Sequence, residues 1–267
     1  MKYIADHDLH IHTRLSSCSK NPRQAPELIL EYARENGYKR ICLTDHYWDE
    51  LIGGASELYK NQNFAHISSI LPLPKSEDID YLFGCEGDIR RDMTLGIPKE
   101  RFDRFDMMVI PTTHLHMKGF TVSNDGSESC EQRARLWCDR LDGVLGMDLP
   151  FGKIGIAHLA CLLIDKRSIE HYLNTLSLIP KDETVRLFER AAKLGVGIEL
   201  NADDLRLCEN HGDAVMRIFR TAKECGCKFY LGSDAHDPED FIGVKKIFSD
   251  AIEALGLTED DKFIPTR

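Results

Sequence analysis

Short runs of apolar, β-branched and aromatic residues alternate along the chain with segments whose apolar positions recur every three or four residues. The apolar runs at Tyr3 to Leu9, Arg40 to Thr44, Tyr81 to Cys85, Met107 to Pro111, Ile154 to Ala157, Gly197 to Leu200 and Phe229 to Leu231 predict seven strands. Between them the spacing predicts amphipathic helices. One starts at Pro26, runs through ELILEYAREN and stops at Gly37, the placement these two residues favour at helix ends. Val215, Ile218, Phe219 and Ala222 mark another face. Val244, Ile247, Phe248, Ala251, Ile252 and Leu255 extend the same spacing over three turns. Strands each followed by a helical or irregular connection imply a parallel sheet. Right-handed crossovers leave a closed βα barrel or an open doubly wound sheet.

The residues that end these strands change the picture. Asp8, His10 and His12 alternate at the end of the first, which predicts that they share one face. The others end in Thr44-Asp45-His46, Gly84-Cys85-Glu86, a run reaching His114 and His116, Ala157-His158, Glu199-Leu200-Asn201 and Ser233-Asp234-Ala235-His236. In a βα barrel these ends converge on one rim, where such barrels carry their active sites.

Composition now matters in one respect: there are eleven histidines, and seven of them (10, 12, 46, 114, 116, 158 and 236) lie at strand ends. His7, His66, His171 and His211 read as exposed or ordinary polar contacts. Imidazoles with carboxylates suit Zn²⁺, Fe²⁺ or Mn²⁺. The donors outnumber what one tetrahedral ion uses, so two or three divalent ions are expected.

The remaining composition sets limits. The 267 residues fit one domain spanning 1–267, and the net charge of −10 disfavours long nucleic acids and anionic membranes as partners. The MKYIADHDLHIH start lacks a signal peptide's apolar stretch, and no run of about 18 apolar residues suggests a membrane helix. The nine cysteines form no CxxC pair, and several sit in apolar runs, such as Cys42 and Cys85, so a cytoplasmic protein with reduced thiols is expected.

His-x-His at 10 and 12, Thr-Asp-His at 44–46, the strand-terminal Glu86, the later histidines and the closing Ser-Asp-Ala-His at 233–236 together resemble the polymerase and histidinol phosphatase (PHP) superfamily. The likeness runs in the family's order from Asp8 to His236. It implies a distorted TIM-like (βα)7 barrel with a di- or trinuclear metal centre at the C-terminal rim. It further implies His10, His12, His46, Glu86, His114, His158, Asp234 and His236 as ligands. Members with three metals often place a histidine some six residues beyond His-x-His; here Cys18 stands there, as a thiolate ligand or a bystander. One of His114 and His116 is expected to be a neighbour of the site instead of a ligand.

The implied activity is a metal-dependent phosphoesterase acting on a small phosphomonoester, with histidinol phosphate the first candidate. Asp234, His236 or Asp8 would protonate the leaving group, and Arg14 would orient the phosphate by bidentate contact, with Lys118, Arg90 and Arg91 as weaker candidates. Three alternatives are a phosphodiesterase acting on short nucleotides, a carbon–nitrogen or ester hydrolase, and a non-catalytic metal-binding scaffold. The second would use a carboxylated lysine at a strand end, and none of these strand ends carries a lysine.

Overall fold

The computed structural model describes residues 1–266. Its strands are β1 (His7–Ile11), β2 (Arg40–Leu43), β3 (His46–Tyr47), β4 (Asp80–Gly87), β5 (Met107–Pro111), β6 (Ile154–Ala157), β7 (Gly197–Asn201) and β8 (Lys228–Gly232). They pair in parallel in the order β1-β2-β4-β5-β6-β7-β8, and the two-residue β3 adds to β4 beyond the end of β2. The helices are α1 (Pro26–Glu35), α2 (Phe64–Ile67), α3 (Cys130–Leu145), α4 (Ile169–Leu178), α5 (Lys181–Leu194), α6 (Ala202–Arg206), α7 (Cys208–Glu224) and α8 (Val244–Leu255). The fold is an α/β, TIM-like barrel, nearly closed. β1 and β8 meet at their C-terminal ends, where the Asp234 amide donates to the His10 carbonyl at 2.8 Å and the His12 amide to the Ala235 carbonyl at 3.0 Å.

Alternation along the strands separates two cores. The outward positions of β5 to β8 (Met108, Ile110, Ile156, Ile198, Leu200, Phe229 and Leu231) bury against helix residues such as Trp137, Phe188, Phe219 and Phe248. Leu9, Cys42, Leu82, Met107, Val109, Ala157 and Tyr230 fill the inside, with Phe263 from the C-terminal segment packed among them. Phe263 is locked in by its amide, which donates to the Phe229 carbonyl at 2.8 Å. Interior positions further along the strands carry His10, Glu86 and Glu199, all fully buried. The barrel is thus apolar at one end and polar at the other.

The first strand departs from expectation. It begins at His7, not Tyr3, and a bulge lies between Asp8 and Ile11 in its pairing with β2. Asp8 pairs with Ile41 and Ile11 with Leu43, both outward positions, so Leu9 and His10 between them turn inward. Asp8 therefore does not share a face with His10. It accepts a hydrogen bond from the Tyr32 hydroxyl of α1 at 3.1 Å and one from the Ser233 amide at 2.9 Å. Among the described residues, no helix is long and apolar enough to cross a membrane.

Candidate metal centre

Five strand-end histidines surround the carboxylate of Glu86. The Nε2 atoms of His10, His114 and His158 lie 3.8, 3.9 and 3.4 Å from Oε1, and His12 Nε2 and His46 Nδ1 lie 3.5 and 2.6 Å from Oε2. Both oxygens of Glu86 are buried, yet neither receives a well-formed hydrogen bond. Asp234 closes the other side, with Oδ1 at 3.1 Å from His12 Nε2 and 3.4 Å from His10 Nε2, and Oδ2 at 3.5 Å from His158 Nε2. The His236 ring stacks on that of His12, with centroids 4.0 Å apart.

The tautomers follow from what the other ring nitrogens touch. His10 Nδ1 meets Glu199 Oε1 at 2.6 Å. His114 Nδ1 meets Asp88 Oδ2 at 2.9 Å. His236 Nδ1 meets the Asp234 carbonyl at 2.7 Å. His12 Nδ1 meets Ser16 Oγ at 2.8 Å; that hydroxyl donates to Asp45 Oδ1 at 2.7 Å, so the imidazole must donate to the hydroxyl. In all four rings the Nδ1 hydrogen is committed to an oxygen acceptor, which leaves Nε2 as the nitrogen able to ligate. The Nε2 atoms of His10 and His12 are 3.1 Å apart. With both rings neutral, neither Nε2 has a hydrogen to share, and a cation between them and the carboxylates satisfies both. The residues present therefore fit divalent metal ions.

Electrostatics favour positive charge here. Burial pushes the Glu86 carboxyl up, but His46, His10 and His158 outweigh it and hold it well below the usual carboxylate range. Asp234 is held low against the same burial, chiefly by His10 and His158. Burial pulls His158 down, while Asp234 and Glu86 raise it to about 10. A site that draws protons onto imidazoles in this way draws divalent cations by the same potential.

Three sets of donors have their ligand atoms all within 4.8 Å of one another: His12, His46 and His236; His10, His12 and Asp234; His10, Glu86 and His158. His10 and His12 each serve two sets. A fourth set, His158 with Cys161 and Asp204, lies behind the third. Two candidate ligand positions are strained: His158 and Asp234 occupy the left-handed region at φ 61° and 56°. Non-glycine residues there cost about 1–3 kcal/mol each and collect at functional sites.

The cavity over this cluster has a volume of about 300 Å³ and is lined by ligand candidates together with Cys18, Leu58, Tyr59, His116, Leu163 and Lys166. Cys18 stands at its edge, Sγ 3.1 Å from His46 Nε2. Burial raises its thiol, but His236 and His46 beside it bring it down to about 6. His114 reaches Glu86, whereas His116 stands in the wall with its Nδ1 buried and unpartnered. Arg14 is exposed and does not line the cavity, and neither does Asp8. Lys166 is the cation that does.

Sequence reasoning gave no role to the residues behind the candidate ligands, although Glu199 and Asp45 stood among the strand-end residues. Glu199 is fully buried, bonding His10 through one oxygen and accepting the His158 amide at 3.1 Å through the other. The signal for it was present in its inward position between Gly197 and Asn201 on β7. Asp88 and the Ser16–Asp45 pair lie on irregular backbone and carried no periodicity.

The fold and site thus define an α/β barrel with a histidine–carboxylate cluster suited to metal at the C-terminal ends of its strands. No family model matches the sequence, and no curated protein does. Among solved structures, the chain is similar to a histidinol phosphate phosphatase from Lactococcus lactis, complexed with zinc, L-histidinol and phosphate. That match has a TM-score of 0.62 and 15% identity, covering 95% of this chain and 94% of that one. A dihydropteroate synthase from Coxiella burnetii matches at a TM-score of 0.45 and 10% identity, over 94% and 95% of the two chains. At these identities the first likeness is one of fold.

Proposed function

We propose that this protein is a metal-dependent phosphomonoesterase of the PHP type, a single barrel domain that takes a small phosphorylated substrate. The observation that carries the reading is the set of four imidazoles, His10, His12, His114 and His236, with Nδ1 committed to oxygen acceptors and Nε2 left to ligate. The zinc- and phosphate-bound histidinol phosphate phosphatase of similar fold supports it, and makes histidinol phosphate the first compound to assay.

His10, His12, His46, Glu86, His114, His158, Asp234 and His236 would hold two or three ions of Zn²⁺, Fe²⁺ or Mn²⁺, with Cys18 as a further ligand at the edge. When bound, such ions supply hydroxide at neutral pH and neutralise phosphate oxygens. The protein's own groups do the rest. Glu199, Asp88 and the Ser16–Asp45 pair fix ring orientation. Lys166 takes the phosphate-orienting place that Arg14 does not reach. Of the groups expected to protonate the leaving alkoxide, Asp234 and His236 line the cavity and Asp8 does not, and either would serve only while it is not holding an ion. Tyr59 and Leu58 exclude water from one side.

A panel of phosphomonoesters, with a dinucleotide as phosphodiester control, tests this on protein of known metal content. Hydrolysis of at least one monoester is expected, lost in His10→Ala while the circular dichroism spectrum is unchanged. A protein carrying two or more equivalents of metal that hydrolyses no monoester overturns the proposal.

A further inference from the structure

A second, larger cavity of about 750 Å³ adjoins the metal cavity on the same rim. Gly54 to Glu57 line it, and the next two residues, Leu58 and Tyr59, line the metal cavity instead. The wall between the two is thin: the Tyr59 ring lies 5.9 Å from that of Phe120, which faces the second cavity. Tyr59 itself is tied to the centre, donating to Asp88 Oδ2 at 2.9 Å, the same oxygen that holds His114.

The second cavity carries Arg90, Arg91 and Lys118. Arg90 is paired with Asp92, and Glu57 with Lys60. Arg91 and Lys118 have no acidic partner among the described residues. Arg91 is fixed through its backbone, whose amide donates to the Phe120 carbonyl at 2.8 Å, and the Lys118 stem lies against Gly126. Ser56 adds a buried hydroxyl with no hydrogen-bond partner. Lys166 puts a third cation on the metal cavity's own lining.

We infer that Arg91, Lys118 and Ser56 form a second anion-binding subsite, and that the substrate carries a second anionic group, phosphate or carboxylate, beyond the phosphate that is cleaved. Guanidinium and ammonium groups without carboxylate partners bind such anions by charge-assisted hydrogen bonds, the guanidinium in bidentate fashion. A cationic tail, such as the ammonium of an amino alcohol phosphate, meets no free carboxylate in the metal cavity, where the acids are Glu86 and Asp234. The inference rests on the phosphoesterase reading for its choice of substrate, but the subsite itself is testable without turnover.

Calorimetric titration of the metal-loaded protein with non-hydrolysable alkane bisphosphonates of graded chain length, each against the matching alkylphosphonate, measures the gain from the second anion. At the length that spans both cavities the wild-type protein is expected to bind the bisphosphonate at least tenfold tighter than its monophosphonate. Arg91→Ala/Lys118→Ala is expected to erase that gain while binding the monophosphonate equally well. No gain at any length, or a gain that survives the double substitution, overturns the subsite. Hydrolysis of the phosphomonoester panel, measured alongside, judges the phosphoesterase reading separately. Its absence would sink that reading and leave the titration result standing.

Discussion

Glu199 Oε1 lies 2.6 Å from His10 Nδ1, and the space for that contact exists because residue 232 has no side chain. The two residues are 189 positions apart, on β7 and β1. Their pairing orients the first histidine of the cluster and fixes which of its nitrogens can ligate.

Replacing Glu199 with glutamine keeps the shape and removes the charge. Metal affinity, measured by competition with a chelator, is expected to fall roughly 10- to 100-fold, the usual cost of losing a carboxylate behind a ligating histidine. Unaltered affinity would show that His10 does not depend on this partner.

Gly232→Ala tests the same contact from the other side. A Cβ at 232 would come within 2.1 Å of Glu199 Oε1 and 2.7 Å of His10 Cβ, with no flexible group free to yield. Overpacking of this kind costs about 1–3 kcal/mol. Urea denaturation should show that loss, accompanied by weaker metal binding. A variant as stable as wild type would mean that the Glu199 side chain moves aside.

Cys18→Ser bears on the edge of the cluster. With cobalt(II) substituted for the native metal, a thiolate ligand gives a sulfur-to-metal charge-transfer band in the near ultraviolet. Wild type is expected to show that band, and Cys18→Ser to lose it together with part of its bound metal. A spectrum that does not change on substitution makes Cys18 a bystander.

The far end of the barrel gives a pH prediction independent of metal. Burial raises the Asp6 carboxyl, but hydrogen bonds with His7 and Lys262 outweigh it and bring it down to about 2. A carboxyl lowered in the folded state stabilises the fold above its unfolded pKa and loses that contribution as pH falls through its folded value. The urea-midpoint advantage of wild type over Asp6→Asn should therefore be full near pH 5, shrink below about pH 4 and vanish towards pH 2. A difference that stays flat across this range contradicts the pairing.

The barrel was legible in the sequence because its strands are short apolar runs, each followed by a helical or irregular connection; β5 and β6 fall on the predicted residues, Met107–Pro111 and Ile154–Ala157. The convergence of His10, His12, His46, Glu86, His114, His158 and Asp234 was legible because parallel connections bring strand ends together. Asp8 was misplaced because alternation counts residues, and a bulge inserts one that the count does not see. Arg14 follows His12 closely in sequence, but the loop carrying it leads outward to solvent, where its amide donates to the Gln24 carbonyl at 2.7 Å. Lys166 was hidden for the opposite reason: it lies eight residues past His158, on a connection with no pattern to place it.

The meeting of β1 and β8 has a mechanical side. The hydrogen bonds that join them run through His10, His12, Asp234 and Ala235, three of which also carry the inward-facing donors. Glu199 adds a diagonal tie, gripping the His10 ring on β1 and the His158 amide past the end of β6. The seam of the barrel is thus fastened by the residues that gather the cluster, so closing the ring and assembling the site are a single act of folding.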